Sequence, residues 1–100
     1  MTTIPELQPI LDKVATLMNN PSAHDIYEYV VREVNVAYTP SMGQTACIHI
    51  IEMCHPRAWG DRLVDGYEQP IYGWQDFLTE LSDLANACGQ KIFENSRGKG

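Results

Sequence analysis

One hundred residues with a net charge of −6 and an apolar fraction of 44% describe one folded domain rather than a disordered chain. No run approaches the roughly 18 apolar residues of a membrane span, and three cysteines are an odd number for a disulfide framework. Met1–Glu6 lacks the basic and apolar segments of a secretory signal, so a cytoplasmic setting with reduced thiols is expected.

The first element is a helix. Ile4, Leu7, Ile10, Leu11, Val14, Leu17 and Met18 recur at three- and four-residue intervals. Pro9 cannot donate a main-chain hydrogen bond, which moves the regular start toward Gln8, and Asn19-Asn20-Pro21 ends the element. Ser22 followed by Asp25 resembles a capping box for a second helix, whose inner face is Ile26, Tyr29, Val30, Val34 and Ala37. Val34–Tyr38 and Cys47–Ile50 also alternate as strands do. The rival fold is therefore α+β, with a hairpin from residues 27–38 and 46–53. Start signals before each run favour helix, since Thr39 or Ser41 precedes the third with Pro40 at its first position.

The third helix, Ser41–His55, is expected to be the element around which the others pack. Gly43, Ala46, Cys47, Ile50, Ile51 and Cys54 share a broad face that Ile48 and Met53 widen, leaving Thr45, His49 and Glu52 as a narrow polar stripe. His55-Pro56 closes it. The 57–73 connection is long for a plain loop and is expected to hold a short helix over Trp59–Asp65, stopped by Gly66. Trp74 or Gln75 opens the fourth helix, with Phe77, Leu78, Leu81, Leu84, Ala85 and Cys88 as its apolar stripe and Asp76, Glu80 and Asp83 opposite. Gly89 either caps it or weakens its middle. The expected fold is all-α: one compact domain over residues 1–95 with four main helices, and a flexible tail over 96–100.

Cys47, His49, Cys54 and His55 fall close together, yet the two thiols are seven residues apart on a buried face and His49 points away from both. A structural zinc site offers paired ligands two to four residues apart on a turn, so no metal and no cofactor is expected. Adjacent Cys54 and His55 diverge by about 100° on a helix and form no nucleophile–base pair. No Gly-rich phosphate loop, G-x-S-x-G or H-E-x-x-H occurs, so no catalytic residue is assigned and a non-enzymatic role is expected. A small metal or thiol enzyme is the weaker alternative.

Charge supplies the functional signal. Residues 59–88 hold Asp61, Asp65, Glu68, Asp76, Glu80 and Asp83 against Arg62 alone, a local balance of −5, while residues 89–100 return to +2. The helical stripe has no lysine or arginine at four-residue spacing. Trp59, Tyr67, Tyr72 and Trp74 lie alongside, of types that anchor interfaces when they are not in a core. Such a surface repels phosphates and attracts basic proteins, which argues against direct nucleic-acid binding.

With those six unbalanced acids, the chain resembles small phage- or mobile-element-encoded inhibitors of the anti-CRISPR type, which are short, single-domain, often acidic and without catalytic motifs. The resemblance implies a stoichiometric binder that blocks a basic nucleic-acid-binding protein or protein–RNA complex in a host cytoplasm, and it carries over no individual residue. Colicin-immunity proteins are similarly small, acidic and helical, but Tyr72-Gly73-Trp74 does not reproduce their tyrosine-pair-and-proline signature. The expected partner-binding residues are Trp59, Asp61, Asp65, Tyr67, Glu68, Tyr72, Asp76, Glu80 and Asp83, on a monomer. The alternative is a structural or regulatory subunit that self-associates through residues 59–74.

Overall fold

The computed structural model describes residues 4–68 and 73–97. Among them are four α-helices, α1 (Gln8–Val14), α2 (His24–Asn35), α3 (Pro40–Met53) and α4 (Trp74–Arg97), and no strand. Both segments of the rival hairpin are thus largely helical, and the fold is all-α.

Proline placement sets the start of α1. A 3-10 turn over Pro5–Leu7 leads into Gln8, and Pro9 sits where the missing N–H has no intrahelical partner to lose. A second 3-10 turn, Ala15–Leu17, follows, and Leu7, Ile10, Val14 and Leu17 are fully buried.

The cap expected at Ser22 does not form. Ala23 stands at the N-cap without a side-chain bond, because the Ser22 hydroxyl donates to Asn20 Oδ1 at 2.6 Å and accepts from Asp65 N at 2.8 Å. Helix α2 instead relies on burying Ile26, Val30 and Val34. The α3 cap is local: Thr39 Oγ1 accepts from Met42 N at 3.2 Å, and Pro40 occupies the first position.

The centre of the fold is α4 rather than α3. At 24 residues it is about 36 Å long, and it packs on α3, α1, the Pro5–Leu7 turn and a 3-10 turn at Trp59–Asp61. The molecule is correspondingly elongated, 46 × 21 × 19 Å. Helix α3 buries Gly43, Ala46, Cys47 and Ile50, but Ile48, expected on its covered face, is 56% exposed. Coverage comes mainly from α2 and α4, with Ile4 over Gly43, which leaves the Thr45–Ile48–Glu52 edge to solvent.

Gly89 neither caps nor interrupts α4. Cys88 and Ile92 on either side are buried on its inner face, and packing carries the helix through to Arg97. Asn95–Arg97 is therefore helical, and Asn95 Nδ2 donates to Glu6 Oε2 at 2.8 Å.

The short helix expected over Trp59–Asp65 shrinks to the Trp59–Asp61 turn, and Arg62 is already extended with ψ 142°. The Trp59 carbonyl accepts from the Trp74 indole at 2.8 Å and from Arg62 N at 3.1 Å, which closes the turn after one cycle. Gly66 reverses the chain at φ +86°, a conformation that costs a residue with a Cβ.

Candidate interaction cleft

The 57–68 segment forms no long regular element, yet it is fastened at both ends. Toward the α1–α2 corner, Asn20 Nδ2 donates to Asp65 O at 2.8 Å, Ser22 receives Asp65 N, and Arg62 Nη1 lies 2.5 Å from Asp25 Oδ1. Toward α4, the Trp74 indole holds Trp59 O, Trp74 N donates to Tyr67 O at 3.1 Å, and Gln75 Nε2 donates to Gly60 O at 2.8 Å.

Ring packing completes the anchor. Trp74 stacks on Phe77 with centroids 5.0 Å apart, Tyr67 stands edge-on to both, and Tyr29 meets Trp59 edge-on at 5.4 Å. This corrects the role expected for Trp59. It is 4% exposed and Trp74 is 5% exposed, so both indoles belong to the core, and Trp74 reaches the cleft only at its edge. Tyr67 is half-buried, and Tyr72 lies outside the described residues.

A cleft of about 450 Å³ opens between this segment and the first turn of α4. Asp61, Glu68 and Asp76 line it, all exposed, together with Tyr67, Gln75, Leu63 and Arg62, whose guanidinium is paired with Asp25. Leu63 is 90% exposed, although the sequence predicts it within a helix over Trp59–Asp65. Its direction follows from the extended backbone, where alternate residues face opposite ways and the neighbouring Val64 is buried at 2%, and no local sequence pattern marks it. Asp76, in the first turn of α4, also counters the partial positive charge of the helix end.

The remaining expected residues do not join this cleft. Asp65 is exposed, with its main chain held by Asn20 and Ser22. Glu80 lies against α1, where Lys13 Nζ donates to it at 2.6 Å while sitting 4.7 Å from the centre of the Phe77 ring. Asp83 borders a separate groove with Glu52, Cys54 and His55 at the end of α3. Three acids on one side of a helix thus face three different surroundings.

Pairing separates the carboxylates further. Asp25, Glu33 and Glu80 each meet a cationic or imidazole partner: Arg62, His49 at 2.6 Å and Lys13. Slight burial pushes the Asp25 carboxyl upward, but the hydrogen bond and charge of Arg62 outweigh it and hold the group below the usual range. Among the described residues, Asp61, Glu68 and Asp76 take part in no ion pair.

The thiols have a different character. Burial pushes Cys47 and Cys54 up to about 12, with the nearby Cys88 adding to the shift at Cys47, and burial also raises Cys88. Thiols so placed stay protonated near neutral pH and behave as small apolar groups. Among the described residues, no three His, Cys, Asp or Glu side chains converge as metal ligands. No described helix is long and apolar enough to cross a membrane. Compared with protein-family models, curated proteins and solved structures, the chain matches none.

Proposed function

We propose that the protein is a non-catalytic, stoichiometric binder whose acidic cleft takes a lysine- or arginine-bearing segment of a partner protein. The observation that carries this reading is the set Asp61, Glu68 and Asp76, exposed around one concavity and without ion-pair partners among the described residues, while Asp25, Glu33 and Glu80 are paired. Exposed Leu63 beside them supplies an apolar contact for the stem of a basic side chain. The partner class that fits is a basic nucleic-acid-binding protein or ribonucleoprotein, whose phosphate-binding surface the carboxylates would occupy. Inhibitors of the anti-CRISPR type act on such targets. Direct contact with nucleic acid is disfavoured by the net charge of −6.

The test uses an arginine/lysine-rich peptide as probe, followed by fluorescence anisotropy at several salt concentrations. The Asp61→Asn/Glu68→Gln/Asp76→Asn variant is expected to lose about tenfold or more in affinity and most of the salt dependence. Leu63→Ser is expected to weaken binding while leaving the salt dependence unchanged. Equal affinity of the parent and the triple variant, at equal helicity by circular dichroism, removes the cleft from the function.

A further inference from the structure

The second feature lies toward the other end of α4. Exposed Phe93 (52%) and Ile48 (56%), with half-buried Ile51, line a groove of about 540 Å³ between α3 and α4, floored by Cys47 and Gly89. Gln44, Asn86 and Gln90 on its walls are uncharged. The charged groups are one acid and one base, Glu94 and Arg97. Neither makes an ion pair with a described residue, and Arg97 lies over its own Phe93 ring at 5.9 Å.

Charge selects the occupant. With a net charge of −6, two copies of this chain repel across most of their surfaces. The rim of this groove sums to zero, so apolar burial is opposed least there. A basic partner of the kind the cleft suits gains nothing from a neutral rim. Glu94 and Arg97 are three residues apart and therefore share one edge of α4. Two copies laid antiparallel about a two-fold axis reverse that edge, so each Glu94 comes opposite the other copy's Arg97 and the pairing is made twice. A surface carrying its own complement in reverse order meets the requirement of an isologous contact.

We propose that the α3–α4 groove is the contact face of a homodimer, with Phe93 and Ile48 as its apolar centre and reciprocal Glu94–Arg97 pairs at its rim. The contact uses none of the cleft residues, so its test is independent of the binding reading above.

Sedimentation equilibrium of the full chain from low micromolar to millimolar loading is expected to show a monomer–dimer equilibrium. Phe93→Asp is expected to raise the dissociation constant about tenfold or more, and Arg97→Glu, which sets like charges opposite each other, by a similar factor. The Glu94→Arg/Arg97→Glu double variant is expected to return it toward the parent value, an outcome no general loss of stability produces. Neutralising Asp61, Glu68 and Asp76 leaves dimerisation in place. A monomer at every loading overturns the proposal. A dimer indifferent to Phe93→Asp and to Arg97→Glu also overturns it, by placing the contact on another face.

Discussion

A single glycine tests whether α4 is one continuous helix held against α3. Gly89 lies inside the Trp74–Arg97 helix, and a Cβ built on it would stand 3.5 Å from Cys47 Cβ and 3.8 Å from Cys47 Sγ, ordinary contact distances. Replacing a helix-interior glycine by alanine in unstrained space is worth about 0.8–1.0 kcal/mol, and the added methyl is partly buried. Gly89→Ala is therefore expected to stabilise the fold by about 1 kcal/mol, which for a domain of this size raises Tm by roughly 4–8 °C. Gly43→Ala is the control. Its Cβ would come 2.9 Å from Ile4 Cδ1 and 3.1 Å from Ile92 Cδ1, both among enclosed side chains. Both atoms are side-chain ends that must turn aside, which offsets part of the helical gain, so Gly43→Ala is expected to gain less than Gly89→Ala. The assay is urea unfolding followed by circular dichroism, at concentrations dilute enough to keep the chain monomeric. A destabilised Gly89→Ala refutes the continuity of α4, and a Gly43→Ala that gains as much as Gly89→Ala refutes the tight crossing at Gly43.

Two further outcomes follow from the core. Trp74→Phe keeps a ring against Phe77 but removes the 2.8 Å indole bond to Trp59 O. It is expected to cost about 1–2 kcal/mol in urea unfolding and to loosen the Trp59–Gly66 segment, read as faster amide exchange there. The thiols predict alkaline sensitivity. Cys47 ionises near its ordinary value of 9.0 when unfolded but at about 12 when folded. Its contribution is complete below pH 9 and is lost as pH rises from there toward 12, by up to about 1.4 kcal/mol per pH unit. Cys54, raised to about 12 as well, and Cys88 add to the same decline, so Cys47→Ala should make it shallower without abolishing it; stability that is unchanged between pH 8 and 10.5 in the parent would contradict the burial argument.

The helices are legible in the sequence because their apolar spacing is local information, and the Thr39–Pro40 start of α3 can be read directly. What the sequence hides is long-range. Ser22 looks like the cap of α2, but its hydroxyl is engaged by Asn20 and by Asp65 N, and the second of these is 43 residues away. A helical projection ranks Ile48 as apolar but cannot say how many neighbours α3 has, and α2 and α4 leave that edge bare. Asp76, Glu80 and Asp83 share one side of α4, yet the flanks of a helix meet different neighbours. One acid fronts the cleft, one meets Lys13, and one borders the end of α3. The indoles were read as possible anchors because type alone does not separate a core ring from an interface ring. Trp74 is committed to the core by its bond to Trp59 O, which no local pattern encodes.

The proposed binding role constrains how the energy at the cleft would be divided. Exposed ion pairs are worth about 0.2–1 kcal/mol each, so Asp61, Glu68 and Asp76 together supply at most about 3 kcal/mol, which alone corresponds to millimolar affinity. Tight binding therefore requires apolar burial, and Leu63, at 90% exposure, is the side chain in the cleft with the most to gain. In the proposed complex the carboxylates would govern encounter rate and salt response, while Leu63 would govern residence. The fastening of the 57–68 segment matters for the same reason. Asp65 is held by Asn20 and Ser22, and Gly60 by Gln75, so little chain entropy remains to be lost when a partner arrives. A segment tied down at both ends presents its one bare leucine at low conformational cost, which is what the proposed binding role would require of a surface with weak individual charges.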